Sequence, residues 1–380
     1  MTLSHERQES PRRCRGQVVV ISSFDIAYDM KRQPVKRLLG QPVKQFAVGP
    51  VRHAPREMLF FRPQMAELPP VERVGPGGPV QVERTVKLFP VGAVSITVRV
   101  PFEVERLDEL LRYHDLRFEE GSLEEEVQGL AASLAAELAP FCVRPVETLA
   151  EAETYTVFCI TTPECLRDGD VPDTEAWLAK YRREVAALLT EEADPAGLSR
   201  QEMEESTERF LSYYEGDLVV VDWDAALIIE QERNLEEILH VMELANVQLA
   251  ELKAYDRLLD ASLGRSYRHL GARKRRRGQR ELQQLREMRI DLARLSDELS
   301  NITKFFGDWH LARIYRNLNA RFHLPDWTRT ITQKLRTLDE LYQLLKQDQT
   351  NRWMLILESA IVLLFIIDVI IIVWMGSATP

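Results

Sequence analysis

Apolar positions recur along this chain with two different periods, and the change between them falls near residue 230. Up to that point the apolar runs are short, rich in Val, Ile, Phe and Tyr and bounded by turn residues, the pattern of strands. "QVVVISSFDIAY", "EMLFFRP", "QVERTVKLFPVGAVSITVRVPFE", "TYTVFCITT" and "GDLVVVDWDAALIIE" all read this way. Helical spacing intervenes at "LDELLRYHDLRF", "SLEEEVQGLAASLAAELAPF" and "TEAWLAKYRREVAALL". The order of strands and helices is irregular rather than a repeating βαβ unit, which predicts an α+β domain over residues 17–230 behind a flexible arm, residues 1–16.

Beyond residue 230 the steps become three and four. One stripe runs Leu235, Ile238, Met242, Ala245, Leu249, Leu252; a second Leu285, Met288, Leu292, Leu295, Leu299, Ile302, Phe306; a third Ile331, Leu335, Leu338, Tyr342, Leu345. Each gives a helix one apolar side to pack, as in a bundle or a coiled coil, so residues 231–352 read as a heptad-rich helical stalk that also self-associates. A further amphipathic helix fits "DWHLARIYRNLNARF", and "FHLPDW" ends it, because Pro325 cannot continue a helix and Asp326 suits the start of the next.

The last pattern is continuous. "WMLILESAIVLLFIIDVIIIVWM", Trp353 to Met375, is about 23 residues long and predicts one C-terminal transmembrane helix, with residues 376–380 as a short tail. Arg352, Trp353 and Trp374 stand where interfacial anchors belong, and the cations Lys334, Arg336, Lys346 and Arg352 put the bulk of the chain on the cytoplasmic side by the positive-inside rule. The expectation is a tail-anchored, single-pass protein of a bacterial inner membrane. Glu358 and Asp368 interrupt the run, and a neighbouring copy of the helix would shield Asp368, which argues for a homo-oligomer.

Composition changes the picture in one place. The chain has 380 residues and a formal net charge of -10, which excludes a general nucleic-acid coating protein. Yet "ARKRRRGQRE", residues 272–281, gathers Arg273, Lys274, Arg275, Arg276, Arg277 and Arg280 between the first two heptad stripes. A hairpin loop there, returned towards the bilayer by the helices, would meet anionic lipid at ~1 kcal/mol per cation. RNA or the ribosome is the alternative partner, through phosphate contact, and a solvated loop is the plain reading.

Candidate chemistry is thin. The four cysteines, Cys14, Cys142, Cys159 and Cys165, form no C-x-x-C pair and no zinc spacing. "RVGPGGP", Arg73 to Pro79, lacks the Lys-Ser/Thr ending of a phosphate loop and reads as a turn. Asp222 and Asp224 in "VDWDAA" share a strand face if the strand continues, but two carboxylates make a weak metal site, and a polar strand end or turn is the better account. Glu236, His240 and Glu243 share a helix face, which suits a solvent-facing ladder of ion pairs better than a metal. No nucleophile motif and no dinucleotide fingerprint is present. The expectation is no enzyme, no cofactor and no small-molecule substrate: a membrane-anchored oligomeric scaffold, with a membrane-tethered RNA- or ribosome-associated factor as one alternative and a metal-dependent enzyme as another.

"LESAIVLLFIID" after a heptad helix resembles the close of the domain-of-unknown-function 155 family, also called the required-for-meiotic-nuclear-division family. The fit lies in Leu357, Glu358, Ile361, Val362, Leu364 and Asp368. "DLVVVDWDAALIIE", "LEEILHVMELANVQLAELKAYDRLLD" and "GDWHLARIYRNLNARFHLPDW" are similar to segments of bacterial membrane proteins of the same plan, so the resemblance covers roughly residues 217 to 372. It implies a self-associating, membrane-anchored protein, with relatives that support mitochondrial translation, and it brings no catalytic residues.

Overall fold

In the computed structural model the residues described are 14–31, 33–46, 63–161, 173–214, 216–270, 290 and 309–376, with side chains given for all of these except 265–270, 341, 342, 344–353 and 371–376. The chain divides into two compact units: residues 1–254 with 296–327, and residues 255–295 with 328–380.

The first unit is built on a nine-stranded mixed sheet. Its strands are β1 (Cys14–Asp25), β2 (Lys44–Gln45), β3 (Gln64–Gly75), β4 (Gly78–Leu88), β5 (Ala93–Val104), β6 (Glu153–Ile160), β7 (Phe210–Leu211), β8 (Leu218–Val221) and β9 (Ala225–Ile229), in the spatial order β7-β8-β9-β6-β1-β5-β4-β3-β2. β6 and β9 run parallel and the other neighbours antiparallel. Strand β1 lies in the middle, and its unbroken run Val18 to Ser23 is buried on both faces, as a central strand covered on two sides must be. Gly16 is required there: a Cβ would lie 1.9 Å from the Cys159 carbonyl oxygen on β6. The hairpin between β4 and β5 turns on Gly92, which has φ 98° and no room for a side chain beside the Ala27 carbonyl.

One face of the sheet, carrying Val18, Val20, Phe24, Val86, Ile96, Val98, Val100 and Phe158, forms the main core with helix α1 (Leu123–Leu138), a 3-10 segment (Leu107–Tyr113) and helix α3 (Arg182–Leu189). Helix α2 (Thr174–Lys180) precedes α3, and α4 (Arg200–Ser206) follows it. Helix α1 starts at a capping box: the Glu125 amide donates to Ser122 Oγ at 3.2 Å and the Ser122 amide donates to Glu125 Oε2 at 3.3 Å. Its Leu123, Val127, Ala131, Leu134 and Leu138 repeat at helical spacing and are all buried.

The other face is covered by helix α5 (Glu232–Leu270), which starts at the end of β9 and whose residues through Ala254 belong to this unit, and by α6 (Trp309–Arg321). The first apolar stripe is buried throughout. So is the rest of α5 from Ile238 to Leu252, which makes it an enclosed helix rather than one side of an open stalk. Helix α7 (Leu324–Gly376) begins after His323, whose φ of 50° makes the break expected at "FHLPDW".

The second unit comprises the described parts of α5 and α7 beyond residues 254 and 327. There Lys334 Nζ bridges Asp256 and Asp260, each at 2.7 Å, and Ile331, Leu335 and Leu338 of the third stripe are buried. Every residue of the stripe from Leu285 to Phe306 lies outside the described residues.

The expected C-terminal transmembrane helix needs correction, and with it the tail-anchored, single-pass, inner-membrane localisation. Among the described residues no helix is long and apolar enough to cross a membrane. Glu358 and Asp368 interrupt the apolar stretch of α7, and both are exposed. The α+β class stands, as a large mixed sheet with helices.

Candidate functional site: a polar seam beneath helix α5

Alternation places one set of polar side chains on the α5 side of the sheet. Lys87 on β4 and Ser95, Thr97 and Arg99 on β5 all point there, because Lys87 pairs with Ser95 and odd positions on both strands share that face. Helix α5 answers with Glu236, His240 and Glu243, whose spacing of four and three sets them on one side.

At the centre the Lys87 ammonium is hydrogen-bonded to Glu243 Oε2, with side chains 9% and 2% exposed respectively. Thr97 Oγ1 donates to Glu243 Oε1 at 3.4 Å. Lys87 Nζ also lies 4.0 Å from the centre of the Phe46 ring, and Phe46 packs at 4.8 Å on His240. Burial favours protonation of Glu243, yet the Lys87 ammonium and the neighbouring His240 together outweigh it and lower its pKa to about 2, so the carboxylate is ionised. His240 is pushed below the usual imidazole range by burial, against the opposing pull of Glu243, and its Nδ1 stands 3.6 Å from the Glu243 carboxylate, too far for a hydrogen bond. Towards the open end of the seam Glu236 takes a two-pronged ion pair from Arg99, at 2.5 and 2.9 Å.

The seam continues along α5. Asn246 Nδ2 reaches the Ile21 carbonyl at 3.2 Å, Ser23 Oγ at 3.0 Å and the Glu153 carbonyl at 2.8 Å, tying the helix to β1 and β6 together. Gln248 Oε1 accepts from the Tyr315 hydroxyl of α6 at 2.6 Å. Lys253 bonds both oxygens of Glu153, at 2.6 and 2.8 Å. Glu251 differs: burial, reinforced by the carboxylates of Asp25 and Asp29, pushes its pKa well up.

These positions revise the sequence reading. Glu236, His240 and Glu243 are indeed on one side of a helix, but His240 and Glu243 are buried against the sheet while Glu236 stays exposed at its edge, and Lys87 and Arg99 pair with the two carboxylates. Asp222 and Asp224 flank Trp223 at the tip of the β8–β9 hairpin, where the Asp222 amide bonds the Ala225 carbonyl at 2.9 Å. Asp222 is buried and paired with Arg321 of α6 at 2.5 Å, whereas Asp224 is exposed, so they do not converge. Burial raises the Asp222 pKa even against Arg321. Among the described residues no group of three or more His, Cys, Asp or Glu is placed to hold a metal ion. Arg73 to Pro79 forms the β3–β4 hairpin, turning at Pro76–Gly77.

Cys14, Cys142 and Cys159 are buried thiols, and burial raises the pKa of Cys142 and, further, of Cys159. Cys165 and the cationic run Arg273, Lys274, Arg275, Arg276, Arg277 and Arg280 lie outside the described residues, as do the side chains of Arg352, Trp353 and Trp374. Glu358 and Asp368 are exposed on α7.

The fold and seam define an α+β protein whose mixed sheet is locked to a long helix by buried ion pairs. The chain belongs to the family described as the N-terminal domain of the uncharacterized protein MJ0711, whose sequence model matches residues 15–235. It is similar to the uncharacterized protein MJ0711 of Methanocaldococcus jannaschii, with 22% identity over 223 residues, 58% of this chain and 65% of that relative. No solved structure matches it. The family match contains Lys87, Arg99 and Glu153 and stops just before His240, Glu243 and Asn246.

Proposed function

We propose that this protein is a non-enzymatic, self-associating scaffold: a rigid α+β platform whose copies are joined through helix α7. The observation that carries this reading is the described stretch of α7 from Met354 to Ile370, on which every side chain is exposed in the single chain. A contiguous apolar surface of that size marks an interaction site. At helical spacing Glu358, Ile361, Phe365 and Asp368 fall on one side, while Ile356, Ala360, Leu363, Ile367 and Ile370 make an opposite stripe without charge. Pairing through the uncharged stripe buries apolar surface and leaves both acids solvated.

The non-enzymatic part of the reading rests on the seam. Glu243, Glu236, Glu153 and Asp222 are each bound by a cation of the same chain, so none is left as a free general base.

The test is amine-reactive cross-linking of the full chain in the expressing cells. Defined multimers are expected for the wild type, with a loss of at least about five-fold on Leu363→Gln with Ile367→Gln, since two buried apolar contacts are each worth more than ~1 kcal/mol. Monomer in both, or equal multimers in both, contradicts the proposal.

A further inference from the structure

Three exposed aromatic rings of the first unit lie on two neighbouring elements, apart from Trp223 at the tip of the β8–β9 hairpin. Tyr213 and Tyr214, just after strand β7, are 58% and 66% exposed, and Trp309, the first residue of α6, is 76% exposed. Tyr213 and Tyr214 meet edge to face at 4.7 Å, and Tyr213 lies 5.5 Å from the His310 ring, so the two elements present their rings side by side. Arg313 and Arg316 follow Trp309 on α6 at spacings of four and three, on the same side of the helix, and both are exposed. They stand ~6 and ~10.5 Å along the helix axis from Trp309.

We propose that Tyr213, Tyr214, Trp309, His310, Arg313 and Arg316 form a binding platform for single-stranded RNA, with bases stacked on the rings and phosphates held by the two guanidinium groups. Composition decides the ligand class. Among the described residues no exposed large aliphatic side chain accompanies these rings, so the patch lacks the apolar surround that seals the centre of a protein interface. Stacking on π faces beside cations needs no such surround and tolerates any base. The Tyr213 amide donates to Asp217 Oδ1 at 2.6 Å and the Asp217 amide donates to the Tyr214 carbonyl at 3.3 Å, which fixes this loop while both rings stay exposed. The platform is separate in sequence from the cationic run at residues 272–281, so each can be altered alone.

The experiment is fluorescence anisotropy of a labelled twelve-nucleotide oligouridylate with the full chain, across a salt series. Removing a stacked ring from a platform of this kind costs roughly five-fold or more in affinity. Trp309→Ala and Tyr214→Ala are each expected to weaken binding by at least that factor. Arg313→Glu with Arg316→Glu is expected to abolish binding and to flatten the salt dependence seen in the wild type. All these side chains are exposed, and an unchanged far-ultraviolet circular dichroism spectrum confirms that the variants fold. The proposal is overturned if the wild type does not bind, if binding depends on Arg275 to Arg277 while the platform variants bind like wild type, or if polyglutamate binds with the same sensitivity to the platform variants.

Discussion

Replacing Glu243 by Gln isolates the ion pair at the centre of the seam. The change keeps shape and removes one charge, leaving the Lys87 ammonium enclosed between Phe46, Thr97 and a neutral amide. Breaking a buried pair from one side costs ~3–5 kcal/mol, because the remaining charge is uncompensated. A second route gives a similar size. The Glu243 pKa falls from 4.5 to about 2 on folding, and at ~1.4 kcal/mol per unit this is about 3 kcal/mol. A carboxylate with a depressed native pKa contributes stability that is fully present above its unfolded pKa and is lost as pH falls through that value towards about 2. Urea unfolding of the wild type should therefore lose about 3 kcal/mol between pH 5 and 2 at this site. Glu243→Gln should lose about that much at pH 7 and show a correspondingly flatter pH dependence. Lys87→Met with Glu243→Leu should recover to within ~1 kcal/mol of wild type, since both charges leave together. A cost below ~1 kcal/mol for Glu243→Gln, or equal acid sensitivity in wild type and variant, would refute the ionic assignment.

Three further outcomes follow from the same packing. Asn246→Leu strips the tie between α5, β1 and β6 and should cost ~1–3 kcal/mol in urea unfolding, with faster hydrogen exchange in β1 and β6 than in the distant β3. With Cys165 replaced by Ser, the native chain should leave Cys14, Cys142 and Cys159 unreacted with Ellman's reagent at pH 8 and expose them only in denaturant, because all three are buried and burial raises the pKa of Cys142 and Cys159. Arg321→Met leaves Asp222 buried without its cation and should cost ~3 kcal/mol at pH 7, with the loss shrinking as pH falls and Asp222 takes up a proton.

The sequence pattern located these elements unevenly, for physical reasons. The β4–β5 hairpin, α1, α6 and the buried stripe of α5 are legible because each carries a simple apolar period. Strand β3 is not: Pro69 and Pro70 supply no amide donors, and the strand accommodates them at a register shift between Leu68 and Val71, where ladder pairing lapses. The seam is half legible. Spacing puts Glu236, His240 and Glu243 on one side but says nothing of what that side meets. A signal was present: Val241, Leu244, Val247 and Ala250 surround the first stripe with further apolar residues, and a helix apolar on more than one side is enclosed, so its polar residues need partners. Those partners, Lys87, Thr97 and Arg99, alternate with core residues on β4 and β5, so a reading for which strand face is polar would have joined the two sets. On α7 the hydropathy run from Trp353 to Met375 predicts a span, whereas among the described residues no helix is long and apolar enough to cross a membrane, and Glu358 and Asp368 interrupt the run.

Self-association through α7 is tested most directly by a disulfide scan. Single cysteines are placed from Met354 to Ile370 in the Cys165→Ser chain, whose remaining thiols are buried, and oxidised dimer is read on a non-reducing gel. High yield at Ile356, Leu363, Ile367 and Ile370, and low yield at Ile361 and Phe365 between the two acids, is the predicted pattern. Uniform yield at all positions, or the highest yield on the side of Glu358 and Asp368, would contradict pairing of copies through the uncharged stripe.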